Sequence, residues 1–399
     1  MAIVKFVEVC EKIGSGATPH GGKEAYSDEG ISLVRSQNVL DFSFSSDGLV
    51  HINDEQAKKL KNVELHPDDV LLNITGDSVA RACIMDSTYL PARVNQHVAI
   101  VRGKKELVLN SYILYYLQWK KDYLLQLASA GATRNALTKG MIEQLDINLP
   151  SLTEQKRIVA VLDSIQQKIS VNKKINDNLQ QQAAAIFRSW FVDCIPFGST
   201  VPDEWKNVTL EDITALISRG ISPKYADDTD QTVINQKCIR NHIIDLSFAR
   251  SHRPKVINNK WLQFGDLLIN STGDGTLGRA AQVWFQPHNL TVDSHVTIVR
   301  PAAENMIFYI GLWGTQHEKE IESLHTGSTG QTELPRDRVK AIELLLPDKE
   351  TLERFNALIA PMAAAIVSNQ EENNRLASIR DALLPKLMSG KIDVSSIRL

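Results

Sequence analysis

Two stretches of the chain carry hydrophobic residues in steps of four and three, the spacing typical of a helix that packs along one side in a coiled coil. The stretches lie 197 residues apart, and both hold asparagine at the same two positions near the middle. The first seam consists of Ile158, Leu162, Ile165, Ile169, Asn172, Asn176, Leu179, Ala183, Ile186 and Trp190. The second consists of Phe355, Ile359, Met362, Ile366, Asn369, Asn373, Leu376, Arg380, Leu383 and Leu387.

The seam asparagines bear on how the two helices pair. A seam asparagine lowers stability but specifies register, because an off-register partner would leave its amide buried and unpaired. Antiparallel helices would bring Asn172 level with Asn373 and Asn176 level with Asn369. A parallel pair would also match asparagine to asparagine, so only closure of the duplicated chain about a pseudo-twofold axis favours the antiparallel form. We expect an antiparallel spacer of roughly 50 Å, the alternative being a helix pair that only forms hydrophobic core.

Outside these helices, short apolar runs bounded by Gly, Asn, Asp and Pro predict the strands of mixed α/β domains. Strands are expected at residues 70–72 and 97–101, and a helix at about residues 111–127. The pattern turns helical after a Leu-Pro pair in each half of the chain. The sequence therefore predicts four segments, namely a domain at 1–150, a central helix at 151–195, a second domain at 196–346 and a C-terminal helix at 347–399.

Local signals mark where the long helices begin and where they are irregular. Ser151 and Glu154 form a predicted capping box, and Asp348 is the matching N-cap of the second helix. Pro361 lies inside the second helix and is expected to kink it. Arg380 interrupts the apolar seam at the position where the first helix has alanine.

The sequences of the two domains also repeat the same motifs in the same order. Residues 69–77 read D-V-L-L-N-I-T-G-D and residues 266–274 read D-L-L-I-N-S-T-G-D. Residues 94–102 (V-N-Q-H-V-A-I-V-R) match residues 292–300 (V-D-S-H-V-T-I-V-R). So many ordered matches indicate a tandem duplication, which a period search detects before any local motif.

Composition narrows the class of protein. The chain has 399 residues, 44 basic and 47 acidic side chains and a formal net charge of −3, so bulk charge does not announce a nucleic-acid ligand. The four cysteines lack metal-ligand spacing, which favours free thiols over a disulfide framework or a zinc site. Neither a membrane-spanning run nor a signal peptide is predicted, so a cytoplasmic protein is expected.

Two diverged domains held apart by a spacer suit a ligand with two different sites along its length, and duplex DNA is the obvious case. Arginine recognises guanine, and asparagine or glutamine recognises adenine, through paired hydrogen bonds. Turn-like segments that differ between the repeats are therefore candidate base contacts, although a solvated loop is the plainer interpretation of each. The candidates are Arg35, Gln37 and Asn38 against Asn235, Gln236 and Lys237, and Thr133, Arg134 and Asn135 against Thr329 and Gln331.

Phosphate contacts must come from local clusters and turns. The candidates in basic clusters are Lys58, Lys59, Lys61, Arg250 and Arg253. The candidates in the shared Asn-x-Thr-Gly-Asp turns, with the arginine that follows each, are Asn73, Thr75 and Arg81 and their counterparts Asn270, Thr272 and Arg279, although these turns could equally support the fold.

Motifs for catalysis are not found. The chain has no phosphate-binding G-x-x-x-x-G-K-[ST] loop, no G-x-G-x-x-G, no H-E-x-x-H and no G-x-S-x-G. His97 and His295 sit in matching V-x-x-H-V segments and are expected to be buried, hydrogen-bonded core residues. The sequence predicts a noncatalytic chain without a metal site.

The order of these motifs resembles the DNA specificity (S) subunits of type I restriction–modification systems. The resemblance rests on residues 149–157 (L-P-S-L-T-E-Q-K-R), the preceding Gly-x-Thr segment, the N-x-T-G-D turns and residues 383–391 (L-L-P-K-L-M-S-G-K), and it covers essentially the whole chain. It implies two target recognition domains, each recognising one half of an asymmetric bipartite site in double-stranded DNA, with the two helices as an antiparallel spacer.

The resemblance also implies partners. Two methyltransferase (M) subunits would dock on the spacer helices, and restriction (R) subunits would join the full complex. S-adenosylmethionine, ATP and magnesium would belong to those subunits, so this chain would hold no cofactor. Two alternatives stay open: a self-contained type II-like restriction or modification enzyme, and a tandem-domain protein adaptor with no role on DNA.

Overall fold

A computed structural model describes residues 2–19, 25–129, 135–227, 229–273, 275–327 and 332–397. It divides into two compact units. Unit 1 comprises Met1–Ser170 and Asn373–Leu399, and unit 2 comprises Val171–Glu372. Each unit thus contains one α/β domain, which we call domain 1 or domain 2, together with half of each long helix. Within the described ranges, no helix is long and apolar enough to cross a membrane.

Domain 1 combines short strands with short helices. Its strands are β1 (Ala2–Lys5), β2 (Cys10–Ser15), β3 (Ile31–Val34), β4 (Val39–Leu40), β5 (Ser43–Phe44), β6 (Val50–Ile52), β7 (Val70–Asn73), β8 (Ala82–Ile84), β9 (Ala92–Val94), β10 (Val98–Gly103) and β11 (Asp146–Leu149). Its helices are α1 (Phe6–Val9), α2 (Asp54–Lys59), α3 (Asn110–Trp119), α4 (Lys121–Ser129) and α5 (Lys139–Glu143), and the long helix α6 (Leu152–Phe191) follows.

Domain 2 repeats this plan. Its strands are β12 (Lys206–Thr209), β13 (Thr214–Arg219), β14 (Thr232–Ile234), β15 (Ile239–Arg240), β16 (Ile243–Ile244), β17 (Arg250–Ser251), β18 (Leu267–Asn270), β19 (Ala280–Gln282), β20 (Leu290–Val292), β21 (Val296–Pro301) and β22 (Glu343–Leu346). Its helices are α7 (Ile307–Gln316), α8 (Glu318–Ser323) and α9 (Arg336–Lys340), and the long helix α10 (Lys349–Met388) follows.

The sheets of the two domains match one for one. A four-stranded antiparallel sheet has the order β2-β10-β7-β8 in domain 1 and β13-β21-β18-β19 in domain 2. A three-stranded sheet has the order β6-β3-β9 or β17-β14-β20, with one parallel pair in each case. A two-stranded hairpin, β4-β5 or β15-β16, follows. The mixed α/β class and the duplication predicted from the sequence are confirmed.

An ion pair is buried at the same place in both domains. Arg102 on β10 donates through Nε and Nη2 to the carboxylate of Asp69, at 2.5 and 2.6 Å, and Arg300 on β21 bonds Asp266 at 2.8 Å through the same two atoms. Both carboxylates are fully buried. The hydrogen bond to Asp69 raises the pKa of Arg102, whereas burial raises the pKa of Asp266 against the opposing effect of Arg300. These arginines therefore serve the fold and not a ligand.

The predicted helix caps are confirmed. The backbone amide of Ser151 donates to Glu154 Oε2 at 2.9 Å, and the amide of Glu154 donates to Ser151 Oγ at 3.3 Å, which closes the capping box at the start of α6. Asp348 Oδ1 accepts the amide of Thr351 at 2.9 Å at the start of α10.

Helix α10 continues through Pro361. The helix expected at about 111–127 is instead two helices, α3 and α4, because the helix is interrupted at Lys120.

The long helices run antiparallel within each unit. In unit 2, Asn369 Nδ2 donates to Asn176 Oδ1 at 2.8 Å, which is the predicted pairing, and Asn176 Nδ2 donates to the carbonyl of Ile366 at 3.2 Å. Asn172, which is fully buried, donates to Glu372 at 2.7 Å. The pairing of Asn172 with Asn373 involves residues of different units and stays a prediction.

Candidate nucleic-acid interface

The asparagine of the shared Asn-x-Thr-Gly-Asp motif is a structural residue. Asn73 ends β7 and is fully buried, and its Nδ2 donates to the carbonyls of Ser36 at 2.9 Å and Val39 at 3.3 Å. Asn270 ends β18, is fully buried and donates to the carbonyl of Gln236 at 3.1 Å. Neither side chain reaches the surface, which favours the alternative that these turns support the fold over the predicted contact with DNA. Each instead holds the backbone of a neighbouring turn.

The threonine of the motif pairs with the histidine of V-x-x-H-V. Thr75 Oγ1 lies 2.6 Å from His97 Nδ1, and Thr272 Oγ1 lies 2.7 Å from His295 Nδ1. The two threonines are half-buried. His97 is half-buried and His295 is exposed, so the histidines are hydrogen-bonded as expected but are not core residues. Two motifs that are about 20 residues apart in sequence therefore form one surface feature in each domain.

Asn135 lies beside this feature. Its carbonyl accepts the amide of Gly76 at 3.2 Å, and its own side chain is exposed. The other members of the Gly-x-Thr segments, Thr133, Arg134, Thr329 and Gln331, lie outside the described residues. Arg279 donates to the carbonyl of Gly275 at 2.8 Å and so braces the turn in domain 2, whereas Arg81 is half-buried at the matching place.

The turns held by the buried asparagines are single 3₁₀ turns after the first strand of each three-stranded sheet. They cover Ser36–Asn38 in domain 1 and Gln236–Cys238 in domain 2. Asn38 is fully buried and donates to the carbonyls of Ser45 and Asp47, so its burial also disfavours the predicted contact with DNA. Gln37 is exposed on the first turn, and Lys237 is exposed at the equivalent position of the second.

Three other candidates around these turns have structural duties. Arg35 Nη2 donates to the carbonyl of Gly48 at 2.6 Å, and Asn235 Nδ2 donates to the carbonyl of Phe248 at 2.7 Å. Gln236 is half-buried, with its Oε1 at 3.5 Å from Thr276 Oγ1. The sequence does not separate these residues from their exposed neighbours, because the carbonyls that Arg35 and Asn235 bind lie 13 residues away and Thr276 lies 40 residues from Gln236.

The basic candidates are exposed. Lys58 and Lys59 lie in the last turn of α2, and Lys61 follows it. In domain 2 the guanidinium of Arg250 lies 3.5 Å from the ring centroid of Tyr225, and Arg253 is exposed on the same sheet edge. Such a stacked arginine keeps its planar face on the ring and its N–H groups free for phosphate or a base edge.

The structure also indicates candidate contact residues that the sequence did not predict. Tyr225, Leu246 and Phe248 expose 42%, 45% and 52% of their surface around the second turn. Large apolar side chains next to Lys237 and Arg250 make a surface that is both basic and apolar. The sequence does carry a signal for Phe248, because this aromatic residue lies two positions before the basic Arg250. Within the described ranges, no group of three or more His, Cys, Asp or Glu side chains could hold a metal ion.

Comparison with known proteins finds similarity to one family. Residues 1–181 match the family model of the type I restriction modification DNA specificity domain. The chain is 24% identical to the type I restriction enzyme MjaIX specificity subunit of Methanocaldococcus jannaschii over 99% of this chain and 94% of that one. It is 21% identical to the HindI specificity subunit of Haemophilus influenzae over 91% and 94% of the two chains.

A solved structure agrees at the level of the fold. The crystal structure of a type I restriction–modification S subunit from M. genitalium matches with a TM-score of 0.57 at 12% identity, over 97% of this chain and 96% of the other. The family model covers the first domain and most of α6, and the second domain has the same sheets in the same order. The second domain thus repeats the sheet order of the domain that the family model matches.

Proposed function

We propose that this chain is a type I restriction–modification specificity subunit, in which domain 1 and domain 2 each recognise one half of an asymmetric bipartite target in double-stranded DNA. The proposal assigns no chemistry to this chain. Two methyltransferase subunits and the restriction subunits would supply methylation, cleavage and the associated S-adenosylmethionine, ATP and magnesium.

One observation carries the proposal. The two domains hold their turns by the same buried asparagine, yet the exposed side chains on those turns differ, with Gln37 in one domain and Lys237 in the other. A common scaffold with different exposed side chains is what recognition of two unlike half-sites requires. The exposed basic residues supply the sequence-independent attraction to phosphate.

Sequencing of modified bases tests the function directly. In cells that express this chain with its cognate methyltransferase subunit, we expect methylation at a motif with two specified blocks separated by a gap of fixed length. The matched control is the same cell without this chain. Methylation that persists without the chain, or a single continuous motif, would contradict the proposal.

A domain exchange tests the division between the domains. A chain in which residues 30–52 of domain 1 are replaced by the same region of a relative with another target should change one block and leave the other unchanged. If both blocks change together, the domains do not act separately.

A further inference from the structure

The same hydrogen bond ties a loop to each turn. The side chain just before the 3₁₀ turn donates to a loop carbonyl, from Arg35 to Gly48 at 2.6 Å and from Asn235 to Phe248 at 2.7 Å. The donors differ in type, but the two carbonyls occupy equivalent places after the β4-β5 and β15-β16 hairpins. The loop position is therefore maintained in both domains, whatever residue stands there.

The space above that loop is filled differently in the two domains. Gly48 has φ +61°, and a Cβ there would collide with Gln37 Nε2. The Gln37 amide donates to the carbonyls of Asp47 and Gly48 at 3.2 Å, while no donor among the described residues reaches its Oε1. Domain 1 thus presents an exposed amide oxygen over the loop.

Domain 2 presents a phenyl ring at the equivalent place. Phe248 carries its ring where Gly48 has no side chain, and the ring is 52% exposed although its backbone is tied down by Asn235. Leaving a phenylalanine half-exposed forgoes part of the roughly 1.5–3 kcal/mol that burial of such a side chain contributes. A fixed loop that displays an apolar ring favours a contact with a partner over packing against its own domain.

The charges around the ring indicate the partner. Lys237, Arg250 and Arg253 are exposed near the loop, and Arg250 is held against the Tyr225 ring. The carboxylates nearest in sequence are on Asp245, which accepts the amide of Ser247 at 2.9 Å, and on the exposed Asp227 beyond Tyr225. Basic side chains beside an apolar contact suit a polyanion with apolar groups, which describes the major groove of DNA.

This inference rests on the proposed function. We propose that the place above the tethered loop selects one base in each half-site. In domain 2 the ring of Phe248 packs against the C5-methyl group of a thymine. In domain 1 the Oε1 of Gln37 accepts a hydrogen bond from the exocyclic amine of adenine or cytosine. The two chemistries are those that the major groove offers for telling bases apart.

Duplexes without the methyl group test Phe248. The chain is assembled with its methyltransferase subunits, and binding is measured to its methylation target with each thymine of the domain 2 half-site replaced singly by deoxyuridine. We expect one position where the wild-type complex loses roughly fourfold in affinity, the effect of one buried methyl group. The Phe248→Ala complex should lose a similar factor and no longer respond to that methyl group.

Two matched variants serve as controls. Phe248→Leu keeps an apolar contact and should stay sensitive to the methyl group. Leu246→Ala removes a neighbouring exposed apolar side chain and should leave the response unchanged. A Phe248→Ala complex that still responds to the methyl group, or a half-site with no responsive thymine, overturns the inference. A wild-type complex that prefers no duplex overturns the proposed function as well, so the two failures differ.

Bases without the amine test Gln37 in the same way. The adenines of the domain 1 half-site are replaced by purine and its cytosines by 2-pyrimidinone, neither of which carries the amine. Gln37→Leu should abolish the response at one position, whereas Gln37→Glu keeps an acceptor and should retain it. Equal responses in wild type and Gln37→Leu contradict the assignment.

Discussion

At the scale of single residues, the structure separates polar side chains that hold the backbone from those that face solvent. Asn38, Asn73 and Asn270 are fully buried, and each donates to carbonyls of a turn or loop. Their amides satisfy carbonyls that would otherwise be buried without a partner. A repeated asparagine is therefore a mark of the scaffold in this chain, and the exposed Gln37 and Lys237 beside it differ between the domains.

Removing one of these amides should destabilise its domain. We expect Asn73→Ala to lower the free energy of unfolding by about 2 kcal/mol, because the carbonyls of Ser36 and Val39 lose their donor. Urea unfolding of the purified chain measures the loss. Asn135→Ala, at an exposed asparagine, is the matched control and should change stability by less than about 0.5 kcal/mol. Equal effects of the two variants would contradict the structural role.

Three thiols should be unreactive in the folded chain. Burial raises the pKa of Cys10 to about 12 and that of Cys238 to about 11, and it also raises the pKa of Cys83. A raised pKa keeps the thiol protonated at pH 8, and only the thiolate is nucleophilic. Labelling with a thiol reagent at pH 8, followed by peptide mapping, should leave these cysteines unmodified until denaturant is added. Rapid native labelling of Cys10 would show that it is accessible.

At the scale of elements, Arg380, the arginine that interrupts the apolar seam of α10, contacts two residues of unit 1. Its guanidinium lies 4.0 Å from the ring centroid of Phe42, and its Nη1 donates to Gln166 Oε1 at 3.0 Å. Unit 2 has Ala183 at the matching seam position and His242 at the place of Phe42. There an open cleft is lined by residues that include Gln180 and His242. Arginine in the seam of unit 1 thus contacts both the facing helix and domain 1, whereas Ala183 in unit 2 is fully buried in the hydrophobic core.

Loss of that arginine should weaken unit 1. We expect Arg380→Ala to lower the free energy of unfolding by about 1 kcal/mol, since the stacking on Phe42 and the packing of the arginine stem are both lost. The matched control is Arg375→Ala, at an exposed arginine of the same helix. Thermal and urea unfolding of the two variants measure the difference. If Arg380→Ala is as stable as the control, the contact contributes nothing.

At the scale of the whole molecule, duplication explains why a chain of net charge −3 can serve as a DNA-recognition subunit. Each domain has its own exposed basic residues, on α2 in one case and on the edge of the β17-β14-β20 sheet in the other. Neither cluster is large, so the proposed methyltransferase partners would share the attraction to phosphate.

The spacer should set the gap between half-sites. Inserting one heptad into both α6 and α10, at matched positions beside the paired Asn176 and Asn369, adds about 10 Å to the helices, or roughly three base pairs. We expect the gap in the methylated motif to lengthen while both specified blocks stay the same. A point variant of equal stability is the control. A variant that is less stable but keeps the old gap would show that the helices are only core.

The sequence by itself determined the duplication, the order of domains and helices and the helix caps, because periodicity and repeated motifs are local properties of the chain. Only the tertiary structure decided which polar residues are exposed. Asn73 is buried because β7 brings it to the carbonyls of a turn 34 or more residues earlier, and no local pattern records that approach. The position of Phe248 is likewise not a local property, because its carbonyl is held by Asn235, 13 residues earlier in the chain.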